Sequence, residues 1–179
     1  VESLGPAAAE QVMEVNQRPS AVWAWFLDEG HRHELESAGI ALQHHPWCPG
    51  AWTAPGQARA MIEVVRRGGA YVQDPSSQLV AHLAAAASGG RGRAVDLCAA
   101  PGGKAALMLH LGRWERAAAA DLRLNRARLM RPALSQAGEC SLMAADATNP
   151  PFAPCTLDLV LLDAPCTGTV TFRRHPELK

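Results

Sequence analysis

A stretch near the end of the chain brings together residue types that support covalent chemistry. Residues 157–168 read Leu-Asp-Leu-Val-Leu-Leu-Asp-Ala-Pro-Cys-Thr-Gly, an apolar run followed at once by a carboxylate, a proline and a thiol. An apolar run without polar alternation is typical of a parallel strand covered on both faces, and ligands bind beyond the carboxyl ends of such strands. We therefore expect Asp163 and Cys166 at a crevice, with Pro165 fixing the turn between them. For this stretch alone, an inert buried cysteine is the competing interpretation.

A second stretch predicts a strand, a glycine turn and the start of a helix. Residues 93–104 read Arg-Ala-Val-Asp-Leu-Cys-Ala-Ala-Pro-Gly-Gly-Lys. Gly102 and Gly103 allow the backbone to approach a ligand closely, and the unpaired amides that open a helix favour a carboxylate or phosphate. Lys104 adds a positive charge there. The spacing differs from the Gly-x-Gly-x-x-Gly fingerprint and from the phosphate loop, so a nucleotide-phosphate site is not favoured.

Aspartates follow the next three predicted strands. The runs 116–120, 140–145 and 157–162 are followed by Asp121, Asp146 and Asp163. Asp121 stands near the distance from the glycine turn at which Rossmann-like units place an acid on ribose hydroxyls. Each aspartate alone is typical of a cap or a turn. Because parallel strands end at one edge of a sheet, the set predicts a common site.

The remaining elements are expected to position this site. Residues 122–137 predict one helix, with Leu124, Leu129 and Leu134 toward the core. Earlier in the chain, strands are expected over 21–27 and 40–43, with a helix over 31–38 that ends at Gly39. We place a small α+β subdomain at 1–70 and a second domain at 71–179.

Composition excludes several classes of protein. The chain has 179 residues, a net charge of zero and five cysteines without Cys-x-x-Cys pairs, which excludes a disulfide framework and a zinc site of the usual spacing. We therefore expect no metal. Because no apolar run of about eighteen residues and no signal peptide occur, we also expect no membrane contact and a cytoplasmic location. Zero charge is not typical of a bulk nucleic-acid binder, so basic contacts must be local.

Three strings in the sequence resemble a known family. Residues 96–104 (Asp-Leu-Cys-Ala-Ala-Pro-Gly-Gly-Lys), 162–168 (Leu-Asp-Ala-Pro-Cys-Thr-Gly) and 173–179 (Arg-Arg-His-Pro-Glu-Leu-Lys) are similar to motifs I and IV of the RNA cytosine-5 methyltransferases of the Rsm/Nop/Sun family, and most similar to its RsmB-like enzymes of small-subunit ribosomal RNA. Residues 71–78 resemble the segment that leads into the catalytic domain. The resemblance implies a Rossmann-like, S-adenosylmethionine-dependent methyltransferase sheet, here with strands 1 to 4 of the order 3-2-1-4-5-7-6. An RNA-recognition-like subdomain would precede it.

The resemblance also implies roles for single residues. The cofactor S-adenosylmethionine would be held at its methionine end by Cys98, Ala99, Ala100, Pro101, Gly102, Gly103 and Lys104. Asp121 would hold the ribose, Asp146 would face the adenine, and Asp163 would lie near the methyl group and the target base. Arg126 matches an arginine that follows the ribose acid. Many relatives have a second acid where this chain has Arg123.

The chemistry implied by the resemblance requires a thiol. A cysteine thiolate adds to carbon 6 of cytosine, which makes carbon 5 able to accept a methyl group, and a base then removes the carbon 5 proton. In the family the motif IV cysteine, here Cys166, serves the release step, and the nucleophile lies in a later Thr-Cys motif. The alternative is that Cys166 is itself the nucleophile. Catalytic candidates are Cys166, Asp163 and Lys104.

The partner is expected to be RNA, in an unpaired region. Arg173, Arg174 and His175 are candidates for phosphate contacts, and Trp23, Trp25, Trp47 and Trp52 are candidates for base stacking, with core packing as the alternative.

No Thr-Cys motif occurs in the given sequence. We therefore expect the chain to be part of a longer protein, to be inactive alone and to self-associate through an exposed fourth strand. The alternative function is a cofactor- or RNA-binding module that performs no chemistry itself.

Overall fold

The computed structural model describes residues 5–17 and 21–165. The predicted site residues Cys166, Arg173, Arg174 and His175 lie outside the described residues. Helix α1 (Pro6–Gln17) belongs to a separate unit and begins at a proline, whose missing N–H costs no hydrogen bond at the first helical position. Residues 22–164 form a compact unit of their own, which contains two sheets.

The first sheet is small and antiparallel. Its elements are β1 (Ala24–Phe26), α2 (Glu29–Ser37), β2 (Gln43–His44), β3 (Trp52–Thr53), α3 (Ala58–Arg66) and β4 (Ala70–Val72). The strand order is β2-β3-β1-β4. Helix α3 buries Met61 and Val64, three positions apart, against this sheet together with Leu35. The predicted order of a strand, a helix and a strand at the start of this region is confirmed, although the second strand is β2 (Gln43–His44) rather than 40–43. Strand β3 and helix α3 were not predicted.

The second sheet is parallel. Its elements are α4 (Pro75–Ala87), β5 (Arg91–Asp96), α5 (Gly103–Leu111), β6 (Arg113–Asp121), α6 (Leu124–Leu129), α7 (Arg131–Ala137), β7 (Ser141–Ala144) and β8 (Leu159–Leu161). The order β7-β6-β5-β8 places the third, second, first and fourth strands side by side, all parallel. The predicted α/β class and Rossmann-like sheet are confirmed.

Small side chains in β6 allow dense packing on both faces of the parallel sheet. Ala117 and Ala119 face the cluster that contains the buried residues of α5, whereas Ala118 and Ala120 face a second cluster on the other side. The alternation follows from the two-residue period of a strand. Helix α5 buries five consecutive residues, 105–109, so it is a core helix rather than an amphipathic surface helix.

Trp25 joins the two sheets. It stacks on Tyr71 with ring centroids 5.9 Å apart, contacts His110 at 5.2 Å, and belongs to the same core cluster as α5. Its indole N–H donates to Oε1 of Gln73 at 3.0 Å. The two sheets thus share a core. Strand β4 crosses the expected boundary at 70/71, and that division into domains stays a prediction.

The prediction of a single helix over 122–137 is wrong. The chain breaks at Met130 into α6 and α7, and Pro132, near the start of α7, cannot donate the hydrogen bond that a continuous helix needs. Leu124 and Leu129 are exposed, Leu129 by 66%, and Met130 is buried beside Leu134 instead. Because of the break, the buried face of α7 is not a continuation of the leucine spacing in α6. The spacing therefore predicted burial wrongly for Leu124 and Leu129.

The expectation that the fourth strand is covered on both faces is also wrong for the described part of the chain. Among residues 22–164, β8 is an edge strand that pairs with β5, and Val160 in it is 50% exposed. Self-association through this strand stays a prediction.

Candidate active site

Four parallel strands end at one edge of the second sheet, and an aspartate stands at or just after each end. Asp96 ends β5, Asp121 ends β6, Asp146 follows β7 by two residues, and Asp163 follows β8 by two residues. Asp96 is in register with Leu161, and Asp121 with Ala144. The strand ends are therefore brought together as the sequence predicted.

The glycine turn between β5 and α5 requires both of its glycines, for different reasons. Gly102 has φ +112°, and a Cβ there would lie 3.3 Å from Met130. A Cβ on Gly103 would lie 3.0 Å from Cε1 of Tyr71. The Ala99 amide donates to the Ala120 carbonyl at 2.9 Å, which fixes the turn beside β6. The first amides of α5 have no partners within their helix.

Asp96 lies at this edge, and the sequence analysis did not assign it a role. It is 1% exposed, and burial raises the pKa of its carboxyl to about 7. The Cys98 amide, which donates to it at 3.2 Å, and the positive charge of Lys104 act against that rise, whereas the charges of Asp163 and Asp121 add to it. These groups are close enough to influence one another. Its position as the last residue before the glycine turn was the available signal.

Arg126 ties the end of β6 to the glycine turn. Its Nε lies 3.6 Å from Oδ2 of Asp121, and its Nη2 donates to the carbonyl of Ala100 at 3.2 Å. Asp121 also accepts the backbone N–H of Arg123 at 3.1 Å, and its side chain is almost buried. A buried carboxylate needs such partners. Arg123 contributes a backbone contact that any residue but proline can make.

Lys104 ties the first turn of α5 to the end of β8. Its Nζ lies 2.6 Å from Oδ2 of Asp163. The carboxyl group of Asp163 is half-exposed, so solvent screens this ion pair and leaves the carboxylate accessible to a ligand.

Asp146 has a different environment from the other three aspartates. It is exposed and accepts the backbone N–H and the hydroxyl of Thr148 at 2.8 and 2.7 Å, and these hydrogen bonds lower the pKa of its carboxyl. Among the described residues, no hydrogen bond or ion pair links Asp146 to Asp96, Asp121 or Asp163.

Burial affects the thiols of Cys48, Cys98 and Cys140. Burial raises the pKa of the Cys48, Cys98 and Cys140 thiols, that of Cys140 to about 11, and the charges of Asp96 and its neighbours add to the rise at Cys98. These thiols are protonated near neutral pH. Cys155 precedes β8, at the amino end of the strand and away from the site edge.

The side-chain amides of Gln73 and Gln78 pack beside the glycine turn. Gln78 is fully buried, and its Nε2 donates to the Gln73 carbonyl at 2.9 Å. The Gln73 amide lies 3.5 Å from the place of a Cβ on Gly103, and its Oε1 holds Trp25. The segment 71–78, matched earlier without roles, thus connects the small sheet to the turn.

Residues 5–17 and 21–165 contain no cluster of three or more His, Cys, Asp or Glu residues arranged to hold a metal ion. No helix within them is long and apolar enough to cross a membrane.

The parallel order 3-2-1-4, the glycine turn after the first strand and the acids that follow the strands define a Rossmann-like methyltransferase fold. The sequence profile described as 16S rRNA methyltransferase RsmB/F matches residues 86–179, and the chain belongs to that family. The resemblance stated from the motifs is confirmed.

Individual relatives and solved structures agree with this assignment. Ribosomal RNA small subunit methyltransferase B of Sodalis glossinidius is 30% identical over 183 residues, which cover 97% of this chain and 42% of the relative. The Mycobacterium tuberculosis protein Rv1407 is 42% identical over 120 residues, 64% of this chain and 26% of its own length. The chain thus spans less than half of either relative.

Two crystal structures share the fold. That of PH0851 has a TM-score of 0.74 and 24% identity and covers 98% of this chain and 42% of its own. That of NSun6 from Pyrococcus horikoshii with SFG has a TM-score of 0.69 and 17% identity, over 89% of this chain and 67% of its own.

Proposed function

We propose that the chain is the cofactor-binding part of an enzyme that methylates carbon 5 of cytosine in ribosomal RNA with S-adenosylmethionine. Methyltransferases of this family use S-adenosylmethionine, and the NSun6 structure contains its analogue SFG. The family profile names 16S ribosomal RNA. The cytosine-5 position, the RNA substrate and a cytoplasmic location are parts of the proposal.

The observation that carries the proposal is the grouping of the glycine turn, Asp121 and the Lys104–Asp163 pair at one sheet edge. These groups suit the parts of S-adenosylmethionine. The amides that open α5 and the Lys104 ammonium suit its carboxylate, and Asp121 suits the ribose hydroxyls. Asp146, which follows the adjacent strand, would face the adenine. The cofactor supplies an electrophilic methyl group when bound.

In the proposed reaction, residues of this chain orient the target base and stabilise the charge that develops on it. Asp163 accepts a hydrogen bond from the base edge and stabilises charge that develops on the ring, since its carboxylate is accessible at the rim. Cys166 follows it by three residues, and we assign it to product release. Arg173, Arg174 and His175 are proposed to contact phosphates.

The proposal is tested with the full-length protein and RNA that carries tritium at carbon 5 of cytosine. Tritium release that requires S-adenosylmethionine is expected from 16S ribosomal RNA. The variant Cys166→Ala is expected to methylate and then retain the RNA as a covalent adduct on a denaturing gel. If Cys166 is the nucleophile instead, the variant forms no adduct and releases no tritium.

A binding module without chemistry gives a different result in the same assay. Such a protein would bind the cofactor and RNA but release no tritium from any cytosine, in naked RNA or in the small ribosomal subunit. That outcome would overturn the proposed reaction.

A further inference from the structure

A cavity lies away from the candidate active site, where the loop between β2 and β3 meets the start of α4. Its volume is about 350 Å³, within the range of small-ligand sites. The residues that line it are Trp23, His45, Trp47, Cys48, Asp74, Pro75, Ser76 and Leu79. None of them is assigned above to the cofactor or to catalysis.

The cavity separates the four candidate stacking tryptophans into two pairs. Trp25 is buried in the shared core, and Trp52 packs on the core of the small sheet with the Arg32 guanidinium 5.0 Å from its ring centroid. Trp23 and Trp47 line the cavity instead. Core packing therefore explains the first pair only.

The aromatic walls of the cavity are held in place but left partly open. His45 lies between the two indoles, with ring centroids 4.9 Å from Trp23 and 6.1 Å from Trp47, and each contact is nearly perpendicular at 79°. The backbone N–H of Trp47 donates to Nδ1 of His45 at 3.4 Å, which links the two rings through the loop backbone. Trp47 is nevertheless 81% exposed. A large apolar ring exposed at a cavity wall is typical of a surface that binds a flat ligand.

The described residues that line the cavity do not form a phosphate site. Asp74 caps α4, because its Oδ1 accepts hydrogen bonds from the backbone N–H and the hydroxyl of Ser76 at 3.0 and 2.6 Å. A carboxylate therefore already occupies the N-terminus of this helix. The eight described residues that line the cavity include no Lys or Arg. Cys48 is a buried thiol and offers no reactive group. The flat aromatic faces of the cavity suit a planar ring.

We propose that this cavity binds one unpaired nucleobase of the RNA substrate, stacked on Trp47. The inference rests on the proposed function because it takes the occupant to be RNA. Stacking on indole tolerates every base, so the cavity holds a nucleotide near the target rather than reading a sequence. Stacking in this cavity would let the small sheet bind RNA without a net positive charge on the chain.

The test measures RNA affinity of the full-length protein without cofactor, by fluorescence anisotropy with labelled unpaired RNA. Trp47→Ala is expected to weaken binding by about ten- to a hundredfold, and Trp47→Phe by only a few-fold because a ring remains. Leu83→Ala is the matched control, since Leu83 is an exposed apolar residue of α4 outside the cavity lining. It should bind RNA like the wild-type protein.

Abasic sites placed singly along the RNA identify the bound base. One position should reproduce the loss caused by Trp47→Ala, and that position should cause no further loss in the variant, because both changes remove the same contact. Equal affinity of Trp47→Ala and the wild-type protein would overturn the inference, as would abasic losses that add fully to the variant's loss. Trp47-dependent binding of an arginine-rich peptide, with RNA binding independent of Trp47, would instead assign the cavity to a cation.

The outcomes also separate this inference from the proposed function. If the wild-type protein methylates RNA while Trp47→Ala binds it normally, only the cavity assignment falls. If the wild-type protein neither binds nor methylates RNA, both fall.

Discussion

The carboxyl edge of the parallel sheet and the aromatic cavity beside the small sheet are built in opposite ways. At the edge, an aspartate stands at or just after each strand end, and Lys104 and Arg126 hold Asp163 and Asp121 by ion pairs. In the cavity, Trp23 and Trp47 are joined by ring contacts with His45, and the first turn of α4 completes the wall. The edge is therefore suited to a polar cofactor and charge-dependent chemistry. The cavity is suited to a neutral, flat group.

The largest expected effect is at the edge. Asp163→Asn removes the charge that would stabilise the reacting base, and we expect kcat to fall by about 10²- to 10³-fold in the tritium-release assay. RNA affinity should stay within a few-fold of the wild-type value, because the cavity is untouched. A loss of RNA affinity as large as that from Trp47→Ala would break the separation between the two regions.

The second effect concerns Asp96 and stability. Its pKa is raised to about 7, so between pH 4 and 7 the folded protein holds a proton that the unfolded chain has lost. The free energy of unfolding should therefore fall as pH rises through this window, by a total on the order of a few kcal/mol, and level off above it. Asp96→Asn can still accept the Cys98 amide and should abolish this dependence. Urea unfolding at several pH values measures it, and an equal slope in wild type and variant would contradict the assignment.

The third effect comes from backbone conformation in the glycine turn. Gly102→Ala places a Cβ at positive φ against Met130, and we expect about 1–3 kcal/mol of lost stability together with weaker cofactor binding. Gly89→Ala is the matched control, since Gly89 also has positive φ but a Cβ there meets nothing within 4 Å. Thermal unfolding should show a smaller loss for the control, with unchanged cofactor affinity. Equal effects of the two changes would remove the special role of the turn.

The smallest effect is expected for Arg126→Lys. The ammonium can still pair with Asp121 but cannot also reach the Ala100 carbonyl in the same geometry. Because the guanidinium is partly exposed, we expect a stability loss of only about 1 kcal/mol. A several-fold weaker cofactor affinity, measured by calorimetry, should accompany it. Cofactor binding equal to that of the wild-type protein would show that Arg126 does not shape the site.

The same contrast explains what the sequence could predict. The site edge was readable because strand periodicity and parallel pairing put each residue after a strand end at one place, and the motifs at 96–104 and 162–168 lie there. Asp96 escaped notice because burial, which sets its pKa, is not visible in a motif. The helix break at Met130 was missed because the leucine spacing outweighed the Pro132 signal.

The aromatic cavity could not be derived from spacing. Trp23 and Asp74 are about fifty residues apart in the chain and meet only because β1 pairs with β4, which leads into α4. The four tryptophans were equal candidates until packing separated Trp25 and Trp52 from the pair that lines the cavity. Non-local pairing of short strands carries too little local signal to be predicted.

Calorimetric titration with S-adenosylmethionine, performed on the full-length protein and on Asp121→Asn and Trp47→Ala, tests the central claim most directly. We expect the wild-type protein and Trp47→Ala to bind equally, and Asp121→Asn to bind about ten- to a hundredfold more weakly, because a charged acceptor for the ribose is lost. Equal binding by Asp121→Asn and the wild-type protein, or no binding by the wild-type protein, would contradict the assignment of the sheet edge as the cofactor site.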